Sequence, residues 1–539
     1  MPEKPRRPTF NTDLTPVGVK DLKPVYEDNE QEPSDPKDSN GTSRKYTRQQ
    51  QMSFAQEGEA IASYAPIYER AKAYLERESL VTLLGRRREC TANDIFFAHA
   101  YRKLFRSELR AFKELGDIDN WNRFRSAAEE ASPDDETRHL SKKPPSRGQY
   151  RRFMKRHIFG NPDELMLLDD DCIEAAVKSA SHIGLLDSGE GSFNQPDKTR
   201  VGYGDTSFFR SLFNASREEA TDKETGEIIR QFDPDAHPHT GNNENEKGSQ
   251  GFTVKLLGVR NGYPNERIPL VLTLKEPGVG EAEDFVNTVE MMIRKHPAVR
   301  NGMIGVAYDM ALRPVHIDRL YRLGVIPFIK VTLTSRGEIA VVTLYDQEFN
   351  LSNGTTVTVT VHLVDGTPCV NFVDGEGDYY LQPLRRIRTN RQKNDAPIDE
   401  ELDAFRWYGM WEVPENPLLN ELVGATSRIR LDSTQEEIEQ ETGKRTNALR
   451  AFPPSDPSFP KVFGVREDAE SLFNNLKTPL IHRRVPCVGR DRLRVDLLGS
   501  QMVAVIRALI AWHERTGGDV SAFFGNRCPL PRDAPHDCA

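Results

Sequence analysis

The stretch Met303-Ile-Gly-Val-Ala-Tyr-Asp309 is a short apolar run that ends in a carboxylate. A helical pattern from Pro314 to Leu323 follows it, and the next apolar run is Val325-Ile-Pro-Phe-Ile-Lys-Val331. Short apolar runs are typical of strands that are buried on both faces. A helix between two such strands is typical of a parallel α/β unit, so this part of the chain predicts strand, helix, strand.

The residues before this stretch extend the same pattern. Phe252–Val259 and Ile268–Leu274 have the composition of β-strands and are separated by the turn signal Asn261-Gly262. A helix fits Ala282–Lys295. The order strand, strand, helix, strand, helix, strand predicts an α/β domain with a mixed sheet.

After this domain the pattern changes. Residues 338–345 and 355–364 alternate Val with Thr, which predicts an antiparallel β-module. Helical patterns then resume at Val462–Leu476 and Leu497–Glu514. The β-module therefore has the position of an insertion between the strand that ends at Asp309 and a late helix.

The composition limits the class of protein. The chain has 539 residues, enough for several domains, with 73 Lys and Arg against 82 Asp and Glu and a net charge of −9. We find no apolar run of about 18–20 residues and no signal-peptide core, which predicts a cytoplasmic protein with no membrane segment. Six cysteines without a CxxC pair or zinc spacing argue against a disulfide scaffold or a zinc finger. The acidic total alone argues against a nucleic-acid partner.

Three carboxylates lie in positions that suit a metal site. Asp205 follows Val201-Gly-Tyr-Gly, Asp309 ends an apolar strand, and Glu470 lies on a predicted helix. On that helix, Arg466, Glu470 and Lys477 fall within roughly 40° of one another. Hard oxygen ligands suit Mg²⁺, and two such ions can clamp both oxygens of a phosphoryl transfer. Taken singly, a strand-end Asp is more often a turn residue, and an Arg–Glu pair at i, i+4 is more often solvated.

The helix with Glu470 resembles the Tyr-(2)-Arg-(3)-Glu-(6)-Lys signature of DDE-type insertion-sequence transposases, with Phe463 where Tyr is usual. The block Gly305–Val331 resembles the region around the second Asp of that family. Asp205-Thr206 resembles the first-Asp block, although the usual Asp-Gly-Thr is here Gly-Asp-Thr. Asp233 and Asp235 are therefore alternatives for the first acid. The resemblance covers roughly residues 195–515.

The resemblance implies an RNase H-like α/β fold, which is a mixed sheet with flanking helices, interrupted by a β-rich insertion and preceded by a helical N-terminal DNA-binding region. It implies that Asp205, Asp309 and Glu470 are catalytic and hold two Mg²⁺ ions, for which Mn²⁺ can substitute. Arg466 and Lys477 would hold DNA phosphates. The reaction would cut a strand at the end of a mobile element, after which the freed 3′-hydroxyl attacks target DNA.

The implied partners are the element ends, target DNA and a second copy of the chain, as a dimer on DNA and with no membrane. The implied location is the cytoplasm of a bacterial-type cell, at the nucleoid when bound. Two alternatives stay open. One is an RNase H-like nuclease without strand transfer, and the other is a non-catalytic DNA-binding protein derived from a transposase.

With this resemblance, the composition divides the chain into six predicted segments. They are a disordered arm over residues 1–55, the helical DNA-binding region over 56–190, the first part of the catalytic core over 191–335, the insertion over 336–460, the C-terminal core helices over 461–516, and a tail over 517–539.

Three tracts of the sequence are locally basic, although the chain as a whole has a net negative charge. Residues 138–160 contain eight Lys or Arg and no acid, and they predict a basic helix capped by Ser146. Its expected phosphate ligands are Arg147, Arg151, Arg152, Lys155 and Arg156. The other tracts are 385–393 on the insertion and 482–494, with Arg483 and Arg484 as expected DNA contacts.

Two further pairs of residues have an ordinary interpretation beside a functional one. Trp407 and Trp411 have rings that could stack on an unpaired base, but we expect them to pack inside the insertion. His237 and His239 have a His-x-His spacing without a third ligand nearby, so we expect a polar loop rather than a zinc site.

Overall fold

The computed structural model describes residues 53–78, 90–105, 107–213, 233–239, 249–263, 265–331, 340–373, 379–416, 421–439, 444–478, 480 and 483–527. The predicted disordered arm lies almost entirely outside these residues. The chain forms two compact units. The first contains residues 185–205 and 276–469, and the second contains the described residues up to 184, residues 206–275 and those from 470 onward.

The helices of the described chain are Phe54–Ser63 (α1), Ala65–Glu78 (α2), Ala92–Tyr101 (α3), Glu108–Leu115 (α4), Ile118–Ala131 (α5), Arg147–Phe153 (α6), Pro162–His182 (α7), Glu281–Lys295 (α8), Pro297–Gly302 (α9), Pro314–Arg322 (α10), Gln435–Glu439 (α11), Lys444–Ala448 (α12), Phe459–Phe463 (α13), Glu467–Lys477 (α14), Arg490–Thr516 (α15) and Ser521–Phe524 (α16).

The strands are Val201–Arg210 (β1), His237–Pro238 (β2), Gln250–Arg260 (β3), Arg267–Leu274 (β4), Gly305–Ala307 (β5), Ile326–Phe328 (β6), Val341–Asn350 (β7), Thr356–Val364 (β8), Thr367–Val373 (β9), Tyr379–Pro383 (β10), Arg385–Lys393 (β11), Phe405–Glu412 (β12) and Thr426–Arg430 (β13). These strands and helices confirm the mixed α/β class.

In the first unit, the start of β1 pairs in parallel with β5, and β5 pairs in parallel with β6. Helix α10 packs against both β6 and α8. The predicted strand from Met303 to Asp309 is shorter than expected, because only residues 305–307 stay in the ladder. Strand β1 was not predicted, since Gly202 and Gly204 lower the β-propensity of its sequence.

The first unit also contains the β-module, as an antiparallel seven-stranded sheet in the order β10-β9-β8-β7-β13-β12-β11. Trp407 and Trp411 are buried beneath it, and Nε1 of Trp407 donates a hydrogen bond to the carbonyl of Tyr321 at 2.7 Å. The packing interpretation of both tryptophans is therefore confirmed, because neither ring is exposed for a base to stack on.

In the second unit, β3 pairs antiparallel with β4 and with β2, and it lies beside the later part of β1. Helix α15 packs against β4, α7 and α3. Contrary to the sequence expectation, α15 is long and apolar enough to span a membrane, with a mean hydropathy of 1.5 over 18 residues. Of that window, 72% is buried inside the protein, as in the core helix of a globular fold.

Candidate metal centre

Asp205 and Asp309 lie at matching positions of two neighbouring parallel strands. In the ladder between β1 and β5, Val201 is opposite Gly305 and Tyr203 is opposite Ala307. Asp205 comes two residues after Tyr203, and Asp309 comes two residues after Ala307, so the same register would place them opposite each other. Because alternate residues of a strand share a face, both carboxylates lie on the same side of the sheet, just beyond the last paired residues of β1 and β5.

A third carboxylate, Glu281, joins them from the first residue of α8. One carboxylate oxygen each of Asp205, Glu281 and Asp309 lies within 4.8 Å of the other two, and all three side chains are partly buried. Among the described residues, this is the one group of three or more acidic, His or Cys side chains close enough to share a metal ion. An all-carboxylate donor set fits hard cations such as Mg²⁺ or Mn²⁺.

The sequence reasoning did not identify Glu281. Its local signal was ambiguous, since acidic residues are common in the first turn of any helix, where they interact favourably with the macrodipole. Glu283 and Asp284 share that turn. Only the packing of α8 beside the strand ends distinguishes Glu281 from these neighbours.

Tyr308 and Phe285 pack beside this cluster and hold Glu281 in place. The hydroxyl of Tyr308 donates a hydrogen bond to Oε1 of Glu281 at 3.3 Å. Its ring stacks on Phe285 of α8, with ring centres 4.0 Å apart. Burial, and then the negative charges of Glu281, Asp309 and Asp205, raise the pKa of Tyr308 far above its ordinary value. The hydroxyl therefore keeps its proton and stays a donor to Glu281.

Gly204, next to Asp205, allows α8 to approach the strand. A Cβ atom at this position would lie only 2.1 Å from Cε2 of Phe285. No real side chain tolerates that contact without movement of the ring or the strand. Gly204 comes before Asp205, whereas in the usual Asp-Gly-Thr order the glycine comes after the aspartate. Its position here is explained by this packing.

Arg466 brings a positive charge to the cluster. It lies in a continuous helical segment made of α13, a short 3₁₀ turn and α14. Its Nη2 donates to Oδ2 of Asp205 at 3.3 Å, within the first unit. Arg466, which the sequence singled out as a phosphate ligand, thus lies beside one acid of the cluster.

Glu470 lies on α14 and is exposed, one helical turn beyond Arg466. Four residues of helix advance about 6 Å and return to nearly the same face. Glu470 is not in the group of three described above, and it belongs to the second unit. Val462, Val465 and Ala469 form the buried side of this segment, as predicted.

Lys477, at the end of α14, contacts the second half of β1. Its Nζ donates to Oγ of Ser207 at 2.7 Å and lies 5.0 Å from the centre of the Phe209 ring. Ser207 is two residues beyond Asp205 on the same strand. Lys477 is thus held beside the second half of β1 by its contacts with Ser207 and Phe209.

Asp233 and Asp235, the alternatives to Asp205, both bind the N-terminus of α15. Oδ2 of Asp233 accepts a hydrogen bond from the amide of Gly489, and Oδ2 of Asp235 accepts one from the amide of Arg490, each at 2.9 Å. A carboxylate at this position satisfies amides that have no partner within the helix. The two residues have a structural role here, and neither belongs to the metal-type cluster.

The predicted basic helix is α6, and Ser146 caps it through a reciprocal hydrogen-bond pair with Gln149. Glu108 of α4 accepts from Arg147 at 2.6 Å and from Arg151 at 2.7 Å. Burial alone would raise the pKa of Glu108, but the two arginines lower it. Arg147 and Arg151 are thus partly neutralised. Three other cations of this segment are exposed and form no ion pair with a described residue: Arg152, Lys155 and Arg156.

The tract 385–393 differs from expectation, because several of its cations serve internal contacts. Arg386 forms a buried ion pair with Asp456 at 2.5 Å. Arg391 lies over the ring of Phe405, with its Cζ 4.2 Å from the ring centre. Arg386 is therefore occupied inside the protein, whereas Arg391 is exposed but contacts the Phe405 ring.

In the third tract, Nη1 of Arg484 donates to the carbonyl of Ser211 at 2.9 Å, and Arg483 adopts a left-handed backbone conformation with φ of 57°. His482 lies outside the described residues. His237 lies in the edge strand β2 rather than in a loop, and the His239 ring contacts that of Phe208 in a tilted arrangement, with ring centres 4.4 Å apart.

The arrangement of Asp205, Glu281 and Asp309 can hold a divalent cation, with Arg466 beside it to bind an anionic group. Such a combination suits chemistry on phosphate esters, in which negative charge must be neutralised from several sides. No model of a known protein family matches this chain, and no curated protein is significantly similar to it.

Proposed function

We propose that this protein is a DDE-type transposase, a metal-dependent enzyme that cuts DNA at the ends of a mobile element and joins the freed 3′-hydroxyl to target DNA. The observation that carries the proposal is the convergence of Asp205, Glu281 and Asp309 within 4.8 Å, next to the point where the parallel pairing of β1 with β5 ends. Two of these three acids are those that the transposase resemblance implies.

The strand pairing supports an RNase H-like core. The first unit has the parallel set β1-β5-β6, and the second has the antiparallel hairpin β3-β4 beside the later part of β1. Parallel pairing in the first unit and antiparallel pairing in the second are both features that an RNase H-like core would require. The long β-module between α10 and α13 occupies the position expected for the insertion.

The roles of the residues follow from their chemistry. Asp205, Glu281 and Asp309 would hold Mg²⁺ or Mn²⁺, and Glu470 would add a carboxylate from the helix that carries Arg466. When bound, such ions neutralise the charge on the transferred phosphoryl group and make water more acidic. Tyr308 keeps Glu281 oriented, while Arg466 and Lys477 offer charge-assisted hydrogen bonds to DNA phosphates. A dimer on DNA, acting in the cytoplasm, would join two ends to one target.

A hydrolytic nuclease is the second candidate, and Glu281 is the observation that favours it. Glu281 is not part of the transposase signature. With it, the first unit alone contains three clustered carboxylates, independently of Glu470. A set of this kind can hold metal ions for hydrolysis without any feature that is specific to strand transfer.

Incubation of the purified full chain with Mg²⁺ or Mn²⁺, DNA that carries the native element ends and a target plasmid separates these functions. Joined products would support the transposase, whereas nicks without joining would support the nuclease. With neither product, both proposals would be wrong, and a DNA-binding protein derived from a transposase would remain. Asp205→Asn, Glu281→Gln and Asp309→Asn should each lower cleavage by about a thousandfold.

Glu283→Gln is the matched control for this assay, because Glu283 lies in the same turn of α8 but pairs with Arg319 at 2.5 Å, outside the cluster. It should keep full activity. Glu470→Gln tests the remaining ligand: if this variant cleaves as well as the unsubstituted chain, Glu470 has no role at the metal.

A further inference from the structure

The insertion carries four arginines on one face of its sheet. On β12 the residues alternate, so that Trp407, Gly409 and Trp411 are buried and the residues between them point to the other side. Strand pairing extends this outer face across the sheet, since Arg388 of β11 is opposite Met410 of β12, which is opposite Arg428 of β13. The outer face contains Arg385, Arg388, Arg406 and Arg428, which we call the arginine face.

All four side chains of the arginine face are exposed. Arg388 and Arg406 form no ion pair with any described residue. Arg428 lies flat over the ring of Tyr408, with its Cζ 3.7 Å from the ring centre, which orients the guanidinium without neutralising it. Arg385 pairs with Glu412, a carboxylate on the same face.

The other charges on this side of the sheet limit the site to β11, β12 and β13. Arg430, at the end of β13, pairs with Asp432 at 2.6 Å and is thereby occupied. Asp346 and Glu348 lie on β7, the next strand, and are exposed. The face is therefore positive over three strands and becomes negative at β7. An anionic partner would thus be attracted to β11, β12 and β13 and repelled at β7.

The spacing of these cations fits an extended polyanion. Neighbouring strands are roughly 4.7–4.9 Å apart, and alternate residues along a strand are separated by about 6.7 Å. The four arginines are therefore spread over three neighbouring strands rather than gathered in a pocket. The same face offers the side-chain amides of Asn390 and Gln392, and it has few large apolar anchors. A protein interface would instead have a core depleted of charge and rich in apolar contact.

We propose that the arginine face binds the phosphate backbone of duplex DNA, independently of its sequence. The inference rests on the proposed function for the identity of the polyanion as DNA, but it needs neither the carboxylate cluster nor catalysis. Planar guanidinium groups bind phosphate oxygens in pairs, and release of counterions from the DNA makes such binding strongly dependent on salt.

The test measures binding of a fluorescein-labelled duplex of arbitrary sequence to the full chain, by anisotropy in EDTA. The variant with Arg388→Ala, Arg406→Ala and Arg428→Ala should bind on the order of tenfold to a hundredfold more weakly at 0.15 M salt, and the slope of log affinity against log salt should fall by about 2–3. The matching triple substitution to Lys should keep the slope, because it keeps the charge.

Arg322→Ala is the control, since Arg322 is exposed on α10 of the same unit but lies away from this sheet face. It should change the affinity by less than about twofold. Circular dichroism should show that the triple variants stay folded. Equal affinity of the triple alanine variant and the unsubstituted chain would overturn the proposal. The proposal would also be overturned if the triple alanine variant bound DNA normally but lost affinity for an acidic protein ligand.

The EDTA separates this proposal from the proposed function. If the chain binds duplex DNA through the arginine face but never cleaves it with Mg²⁺ or Mn²⁺, the enzymatic proposal fails and the DNA surface stands. If it cleaves and joins DNA while the triple alanine variant binds normally, the arginine face is wrong and the enzymatic proposal stands.

Discussion

The guanidinium group of Arg466 donates a hydrogen bond to Oδ2 of Asp205 at 3.3 Å, although the two residues are 261 positions apart in the chain. Asp205 is also one of the three clustered carboxylates that can hold a divalent cation. A divalent cation held by Asp205 would therefore compete with Arg466 for this carboxylate, and its binding would release the guanidinium group to contact a phosphate.

Arg466→Gln should raise the affinity of the cluster for Mn²⁺ by up to about fivefold, because a partly exposed ion pair of this kind contributes roughly 0.2–1 kcal/mol. The same variant should cleave DNA more slowly, since it lacks the phosphate contact. Titration calorimetry with Mn²⁺ measures the first effect. Arg319→Gln, which removes a cation that pairs with Glu283 and Glu290, is the control and should leave the affinity unchanged. An unchanged affinity for Arg466→Gln would contradict the competition.

Glu281→Gln should weaken Mn²⁺ binding by on the order of tenfold or more, because it removes one of three charged oxygen donors. Its hydrogen bond from Tyr308 can persist, so the fold should be retained. Calorimetry of Glu281→Gln beside Glu283→Gln isolates the effect of the ligand, since both residues lie in the first turn of α8. Equal binding by the two variants would show that Glu281 is not a ligand.

Gly204→Ala should destabilise the first unit by about 1–3 kcal/mol, because the new methyl group overlaps the ring of Phe285. Urea unfolding followed by circular dichroism measures this change. Gly464→Ala is the matched control: Gly464 has φ of −60°, and a Cβ atom there would meet no other atom within 4 Å, so alanine should be neutral or stabilising. If both variants unfold at the same urea concentration, the close approach of α8 to β1 is wrong.

Asp496→Asn should destabilise the second unit by about 3–5 kcal/mol at pH 7, because it leaves two partly buried cations unpaired. Asp496 of α15 contacts Arg102 and Lys103, each at 2.5 Å. Burial alone would raise the pKa of Asp496, but Lys103 and Arg102 outweigh it and lower the pKa to about 2. Urea unfolding midpoints measured at several pH values test this contribution.

The ordinary pKa of this carboxyl is 3.8, so folding stabilises its ionised form. The contribution of Asp496 is therefore complete above about pH 4 and is lost as the pH falls towards about 2. The difference between Asp496→Asn and the unsubstituted chain should shrink over that range. Asp163→Asn, an exposed substitution in the first turn of α7, should show a small difference that varies little. A constant large difference for Asp496→Asn would contradict the ion pair.

Asp233→Ala should destabilise the second unit by about 1–2 kcal/mol, because the N-terminus of α15 loses a carboxylate acceptor. Its Mn²⁺ affinity should equal that of the unsubstituted chain. Thermal unfolding and calorimetry on the same preparation separate the two properties. If Asp233→Ala or Asp235→Ala abolishes Mn²⁺ binding while Asp205→Asn does not, Asp205 is not the first acid.

Much of the secondary structure follows from local patterns. The helices α8, α10, α14 and α15 and the strands β3, β4 and β6 lie close to where the periodicity predicts them. The position of Asp309 just after a buried strand is equally local. Strand β1 escaped prediction because its glycines have low β-propensity, and the need for Gly204 arises only where Phe285 packs against it.

The candidate site was predictable in part. Asp205 and Asp309, two of the three acids that the resemblance singled out, lie in the cluster, whereas Glu470 lies outside this group and Glu281 was not singled out. The surroundings of the basic tracts were not predictable either. Arg386 is in a basic stretch of sequence, but Asp456, 70 positions away, turns it into a buried ion pair. Glu108 does the same in part for Arg147 and Arg151.

The residues that share a face of a helix or strand are set by the backbone repeat. Residues i and i+4 lie on one face of a helix, and residues i and i+2 lie on one face of a strand, whatever lies elsewhere in the chain. The amino-acid pattern is therefore sufficient to predict the α/β class, the β-rich insertion and the acid at the end of β5. The meeting of Asp205 with Glu281 and Arg466, and the partner of each arginine, depend on strand register and on the packing of helices that are distant in sequence. The packing of the whole chain decides those contacts, because side chains with the same local sequence pattern can be exposed to solvent or buried in an ion pair.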